Sequence, residues 1–369
     1  MPGRKLPVNQ LRLTAWSKTV MARSVLKTSS VEVAEHPGLL LEMFRAPADW
    51  QLRQTGRVNR IRFGFVMPAD QLDKTRRATF VDDLDRALSL VSGHFDSAWI
   101  IDHLQFDDQD VLEGFTTLAY MAARHPQLKF GHTVLCQSFR NPALLAKMGA
   151  TLQFLSGGRF ILGIGAGWHE EEYRAYGYDF PPAAVRVEQL DEALTIVKAL
   201  WTEESAMFHG KHYRVHEARC EPKPTPLPPI MVGAFKPLML RLTARHADWW
   251  NVSSTGPGVY RRMAAELERA CVEVGRDPAT VRRTWAGGCA CAPTQAEAEE
   301  LAGDRISADN DDDFGFVGTP ERVIEQMRPF VELGVDYFML DCGGFPRLTT
   351  LEMLIDQVLP VWGAGLHRA

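Results

Sequence analysis

The sequence predicts an α/β protein, a (β/α)8 TIM barrel with insertions, preceded by an N-terminal extension outside the core. Three observations predict it. From Arg60 onward, eight short apolar runs alternate with amphipathic segments of helical period. The alternation pauses once, at residues 203–228, where prolines replace helical spacing. The loops after several runs are rich in small residues, as expected at the working face of a barrel. A doubly wound open sheet fits the same alternation and stands as the alternative.

The elements follow in order. Ile61–Met67 reads as the first strand and Thr79–Ser92 as its helix, with Asp82, Asp83 and Asp85 in the first turns favouring the helix dipole. Ser97–Ile101 and Val111–Arg124 form the second unit. Lys129–Leu135 is the third strand, and the helix after it starts with proline, spanning Pro142–Leu155. Phe160–Ile164 leads through glycines into a short acidic helix, and Val185–Trp201 is the longer helix beyond it. Residues 203–228 contain HGKHYRV and ARCEPKPTPLPP, which read as a hairpin and a proline-rich crossing. Alternation resumes with strand Ile230–Gly233, helix Pro237–His246, strand Trp249–Val252 and helix Gly258–Val274. Strand Val281–Ala290, helical segments Gln295–Ala302 and Pro320–Leu333, strand Tyr337–Leu340 and helix Leu351–Leu359 complete the series.

Composition narrows the function. Hydrophobic residues make up 46% of the 369, enough for one large core, and the formal charge is −5. That mild value hides an asymmetry: residues 1–62 carry 11 basic and 4 acidic side chains (net +7), and the remainder 30 and 42 (net −12). An acidic body without a basic, aromatic-studded stripe argues against nucleic acid, and no apolar run is long enough for a membrane span. The six cysteines, 136, 220, 271, 289, 291 and 342, form no C-x-x-C pair; they read as buried thiols in a reducing cytoplasm, with no metal site.

Residues 1–57 form a separate basic segment with no acidic residue before Glu32. The pattern fits a poorly ordered arm, a stretch read upstream of the true start, or a transit peptide, and no chemistry is assigned to it. Residues 58–369 are expected to hold the catalytic domain.

Candidate chemistry sits where strands end. Asp102 and His103 follow the second strand, and an Asp-His pair there suits proton transfer near neutral pH; the alternative is a capping Asp and a solvated His. Cys136, Gln137 and Ser138 follow the third strand, either as a seat for a planar ring or as an ordinary turn. Gly163, Gly165 and Gly167 leave the fourth, Gly233 and Ala234 the fifth, and Ser253, Ser254 and Thr255 the sixth. Several loops of small residues on one face suit a flat ligand with a phosphate tail. Trp168 stands where G-x-G-x-x-G requires its third glycine, so the loop is no dinucleotide fingerprint. The histidines at 209, 212 and 216 read as a solvated hairpin, Glu170 to Glu172 as a helix amino end, and Asp309 to Asp313 as a solvated loop.

From Ile61 to about Trp362 the chain resembles the bacterial luciferase-like flavin- and deazaflavin-dependent oxidoreductases, most of all the branch that uses coenzyme F420. The matching segments are IRFGFVMP, SAWIIDHL, FRNPALLAKMGATLQFLSGGRFILGIGAGWHEEEYRAYG, FHGKHYRV, PPIMVGA, ADWWN and FVGTPERVIEQMRPFVELGVDYFML. The resemblance implies a TIM barrel with insertions and F420, or alternatively FMN, across its mouth. It places Asp102 beside the ring and a non-prolyl cis peptide among Thr133, Val134 and Cys136. It brings Gly165, Ala166, Gly167, Gly233 and Ala234 to the cofactor, although relatives usually carry a second glycine at position 234. It further implies His103 as the proton-transfer residue, Asp102 as the group that orients either the histidine or the ring, and Trp168 as an apolar wall. In the sugar-phosphate dehydrogenase branch a glutamate acid stands in the place of Trp168, and tryptophan cannot donate its proton at neutral pH, which argues against sugar oxidation. The implied activity is hydride transfer between the deazaflavin and a small organic substrate by a cytoplasmic homodimer. An FMN-dependent, oxygen-using monooxygenase and a non-catalytic flavin-binding protein are the other readings.

Overall fold

Apolar runs bounded by glycine and polar turns become strands, and all the barrel strands run parallel because a helix returns the chain after each. In chain order they are β1 (Arg62–Val66), β2 (Ser97–Ile100), β3 (Lys129–His132), β5 (Phe160–Gly165), β8 (Ile230–Gly233), β9 (Trp249–Ser253), β10 (Arg282–Cys291) and β12 (Val335–Cys342). Each pairs with the next, and β12 pairs back onto β1, so the sheet closes. The open-sheet alternative is thereby excluded. The computed structural model describes residues 60–68, 74–106 and 109–363. The segment 1–57 lies outside the described residues, and residues from Arg60 onward form one compact unit.

The helices obey local rules. α1 (Phe80–Val91) buries Leu84, Ala87, Leu88 and Val91, a stripe of three- and four-residue spacing. α2 (Gly114–Arg124) is capped by the Glu113 carboxylate, which accepts from the Phe115 and Thr116 amides. α3 (Pro142–Leu155) begins with proline after an Asn141 cap. α4 (Glu170–Ala175) is the short acidic helix, and α5 (Ala183–Thr202) the long one. α6 (Pro237–His246), α7 (Pro257–Glu273), α8 (Gln295–Ala302) and α9 (Pro320–Glu332) follow. The insertion is an antiparallel hairpin, β6 (Ala206–His209) with β7 (Arg214–Ala218), as read from the sequence.

Four details depart from expectation. The third strand breaks after His132; β4 (Leu135–Cys136) resumes beside β5 beyond a cis Thr133–Val134 peptide. β11 (Phe316–Gly318) pairs with β10 outside the barrel ring, where the sequence assigns no strand. The closing helix gives way to a π turn at Leu354–Val358, after α10 (Thr349–Met353). In the acidic run 309–313, Asp311 accepts from the Val259 amide at the start of α7 rather than serving only solvent.

Two apolar layers result. Outside, the strands pack on the helices through residues such as Phe63, Phe130, Phe160 and Trp250. Inside, Val66, Trp99, Ile161, Met231, Ala286, Tyr337 and Met339 fill the barrel, and Val134 packs partly buried against them. Two large side chains there keep their polar atoms paired: Trp99 Nε1 donates to Ser97 Oγ at 2.5 Å, and Tyr337 Oη lies 2.7 Å from that oxygen and donates to Asp96. The column is therefore solid, and a ligand must use the mouth at the carboxyl ends of the strands.

Candidate active site at the barrel mouth

The end of β2 delivers Asp102 and His103 in opposite directions. Asp102 turns inward, with its side chain fully enclosed. Its Oδ2 accepts from Arg140 Nη1 at 2.8 Å and from the Cys136 amide at 2.9 Å, while Oδ1 accepts from Arg140 Nη2 at 2.9 Å. Arg140 also meets Glu113, so the guanidinium bridges two carboxylates and is held protonated even though burial opposes its charge. Burial likewise opposes ionisation of Glu113, yet its Thr116 and Phe115 contacts and Arg140 bring it down to about 2. The expectation that the Asp102 carboxylate orients His103 meets a different arrangement: its oxygens are occupied by Arg140 and by the strand that follows the cis peptide, and the carboxylate that meets His103 belongs to Glu172.

His103 turns toward the mouth and keeps a partly open side chain. Its partner is Glu172, a residue the sequence reading passed over. Glu172 Oε1 lies 2.9 Å from His103 Nδ1, and Oε2 accepts from the Leu104 amide at 2.8 Å. Glu172 is only 2% exposed, although it sits in a run of three glutamates on a surface helix. The signal available in the sequence is its neighbour Tyr173: two adjacent positions of α4 face inward, while Glu170 and Glu171 remain exposed. Around His103 stand Phe106 at 4.3 Å, Trp168 at 5.6 Å and His169 at 6.1 Å between ring centroids. Trp168 is 56% exposed, so it offers an open aromatic wall beside the histidine.

The expected cofactor residues divide into two groups. Thr133, Val134, Ala166, Gly167 and Gly233 are half-buried at the mouth, together with Ser138, Ser253 and Ser254. Gly165, Cys136 and Ala234 are buried. The Cys136 thiol lies 2.9 Å from Tyr173 Oη, and burial pushes it up to about 12, so it remains a thiol rather than a thiolate. Ala234, expected near the cofactor, is buried; it donates its amide to Asn251 O and accepts from Trp250 Nε1, so its own polar groups are used within the protein. Thr133 Oγ1 accepts from Asn251 Nδ2 at 3.4 Å, and Asn251 in turn accepts from Thr284.

The glycines have a reason inside the protein. A Cβ on Gly163 would lie 1.8 Å from the His132 carbonyl oxygen; on Gly165, 2.8 Å from a Val134 methyl; on Gly233, 3.1 Å from the same methyl. The three clear space for the bulge between β3 and β4. That bulge presents backbone and one branched apolar side chain to the mouth, and such a surface fits a flat ring. Gly167 has a φ of +77°, and a side chain there would strike Tyr173 Oη. Among the described residues, no three His, Cys, Asp or Glu side chains gather as a metal site.

Comparison with known proteins agrees with the barrel fold. A sequence model of the luciferase-like monooxygenase family matches residues 61–312. A relative from Intrasporangium calvum, named F420-dependent glucose-6-phosphate dehydrogenase, is 29% identical over 72% of this chain and 90% of its own length. A protein of the same name from Kineococcus radiotolerans is 32% identical over 54% of this chain and 58% of its own. Among solved structures, an F420-dependent secondary alcohol dehydrogenase in complex with an F420-acetone adduct aligns with TM-score 0.70 and 19% identity, covering 81% of this chain and 99% of that one. The EDTA monooxygenase of Chelativorans sp. BNC1 aligns with TM-score 0.67 and 17% identity, over 82% and 94%. At such identities the structures show a shared fold.

Proposed function

The chain belongs to the luciferase-like monooxygenase family, and from that premise we propose that it is an F420-dependent oxidoreductase carrying hydride between the deazaflavin and a small organic substrate. The observation that carries the reading is His103: it follows β2 at the mouth, partly open, with one ring nitrogen engaged by Glu172 and Trp168 alongside. The F420-dependent naming of relatives that match most of their own length supports the cofactor assignment. When bound, F420 supplies hydride transfer at its central ring carbon.

The chain's own residues then have limited tasks. Thr133, Val134, Ala166, Gly167 and Gly233 would hold the cofactor, with Val134 against the ring face. His103 gives or takes the substrate proton, and Trp168 and Phe106 exclude water from one side. Trp168 favours an uncharged substrate over a sugar phosphate. The activity is assigned to residues 58–369, with none in 1–57, and to a reducing compartment such as the cytoplasm, in keeping with six buried free cysteines. Among the described residues, no helix is long and apolar enough to cross a membrane. We extend the reading to a homodimer, supported by Leu144, Phe154 and Leu155, which α3 leaves exposed; sedimentation reads it as twice the 41.4 kDa chain mass.

Equilibrium titration tests the assignment. F420 is expected to bind at micromolar concentration or tighter, with FMN at least ~10-fold weaker, a difference of about 1.4 kcal/mol. FMN binding without F420 binding decides for the oxygen-using monooxygenase. F420 bound but exchanging hydride with no member of a broad panel of alcohols and unsaturated carbonyls decides for a binding protein.

A further inference from the structure

We propose that Glu172 is a positioning residue that sets which nitrogen of His103 carries the proton, holding neutral His103 in the Nδ1–H form and leaving Nε2 as an acceptor at the mouth. The inference deepens the reading of His103 as the proton-transfer group but does not depend on which cofactor binds.

The geometry has two parts. Glu172 is buried, and its two oxygens face two different groups: Oε2 accepts from the Leu104 amide at 2.8 Å, and Oε1 faces His103 Nδ1 at 2.9 Å. The Leu104 N–H is a backbone donor and cannot change its role. It fixes one oxygen as an acceptor and keeps the carboxylate in place. A carboxylate has no proton to give, so the ring nitrogen opposite Oε1 must be the one that donates. Leu104 is also the residue directly after His103, so one carboxylate grips two successive residues of the loop leaving β2. Tyr176 adds a third tie from the same helical segment, donating to the Leu104 carbonyl at 3.1 Å. The segment after β5 therefore locks the segment after β2, and the imidazole cannot turn without breaking the grip.

The consequence is chemical. With Nδ1–H on Glu172, the Nε2 lone pair of neutral His103 is available to a substrate O–H. For an alcohol, Nε2 would take the O–H proton; oxidised deazaflavin, when bound, would supply the hydride acceptor for the C–H electron pair, and the product would be the carbonyl. In the reverse direction the protonated ring returns the proton to the carbonyl oxygen.

Replacing Glu172 by Gln makes an unusual test because the side chain keeps its shape and exchanges one acceptor for a donor. The Leu104 amide claims the Gln oxygen, so the Gln NH2 faces His103 Nδ1. The proton must then move to Nε2. The experiment is a long-range ¹H–¹⁵N spectrum of the full chain without cofactor, labelled at histidine and recorded at about pH 8.5, where an ordinary imidazole is neutral. His103→Gln identifies the resonance by its loss. The expected result is Nδ1–H in the parent and Nε2–H in Glu172→Gln, with alcohol oxidation reduced by ~10²-fold or more through kcat while cofactor affinity is retained. An Nε2–H parent overturns the proposal, and the parent spectrum alone decides this if Glu172→Gln does not fold. A Glu172→Gln protein that keeps Nδ1–H also overturns it. Failure of F420 to bind in the titration leaves these spectra unaffected, so the two readings fail separately.

Discussion

Asp102 and His103 are adjacent in sequence and opposite in task, and two substitutions separate them. Asp102 is enclosed and accepts from both arms of the Arg140 fork. Asp102→Asn leaves a buried guanidinium short of a charge partner, and breaking such a pair costs about 3–5 kcal/mol. His103 is partly open and makes one polar side-chain contact among the described residues, so His103→Gln is expected to change stability by less than ~1 kcal/mol and turnover by ~10²–10⁴-fold. Denaturant midpoints and steady-state rates on the same two proteins check this. Equal stability losses in both would show that Asp102 is not the clamp described. The sequence made His103 legible because it directly follows an apolar strand. Glu172 was hidden, since three successive glutamates at a helix start already have a local explanation in the dipole. Only the turn of α4 against the loop after β2 singles out one of them.

The bulge between β3 and β4 governs its neighbours as a unit. Gly163, Gly165 and Gly233 come from two strands beyond it, and each clears an atom of His132 or Val134. Substitution by Ala should therefore destabilise in the order 163, 165, 233. At Gly163 the obstacle is a backbone carbonyl at 1.8 Å, which cannot move aside. At Gly165 it is a methyl at 2.8 Å and at Gly233 methyls at 3.1 and 3.2 Å, where overpacking costs about 1–3 kcal/mol. Val134→Ala removes those methyls and should restore most of the loss in Gly165→Ala and none in Gly163→Ala. Thermal melting of the double variants measures the coupling, and rescue of Gly163→Ala by Val134→Ala would refute the assignment. The barrel itself was legible because short apolar runs alternate with segments of period-3.6 apolar spacing through the body. The break in the third strand was not, since LKFGHTVLC reads as one apolar run and no spacing rule marks a turn at Thr133; only the family resemblance pointed to it. β11 was missed for a related reason: Phe316–Gly318 is three residues long, too short for alternation to register.

At the scale of the molecule, closure of the barrel isolates titratable groups from water, an imidazole among them. His132 lies on the outer face of β3, stacked on Phe115 at 5.2 Å, and neither ring nitrogen meets a hydrogen-bond partner. Burial, with Arg140 adding to it against Asp102 and Glu113, takes this imidazole down to about 4. An imidazole in the unfolded chain titrates near ~6.5. As pH falls through that value the unfolded chain takes up a proton that the folded chain refuses. The unfolded state then binds more protons, so stability falls with pH until the folded ring is protonated near 4. The full loss is about 3 kcal/mol, present at and below pH 4 and absent above ~7. Leucine at this position has no proton to take up and leaves no polar atom unpaired. His132→Leu is therefore expected to match or exceed the parent at neutral pH and to show a shallower decline on acidification. Guanidinium midpoints at about pH 7 and 4.5 read the difference directly. Glu113, held at about 2 in the fold, also loses its contribution as pH falls, but that loss begins near its ordinary value of ~4.5 and runs down to about 2. The interval from ~6.5 to ~4.5 therefore reports chiefly on histidines, and an unchanged slope there in His132→Leu would mean that the acid weakness of this barrel lies elsewhere.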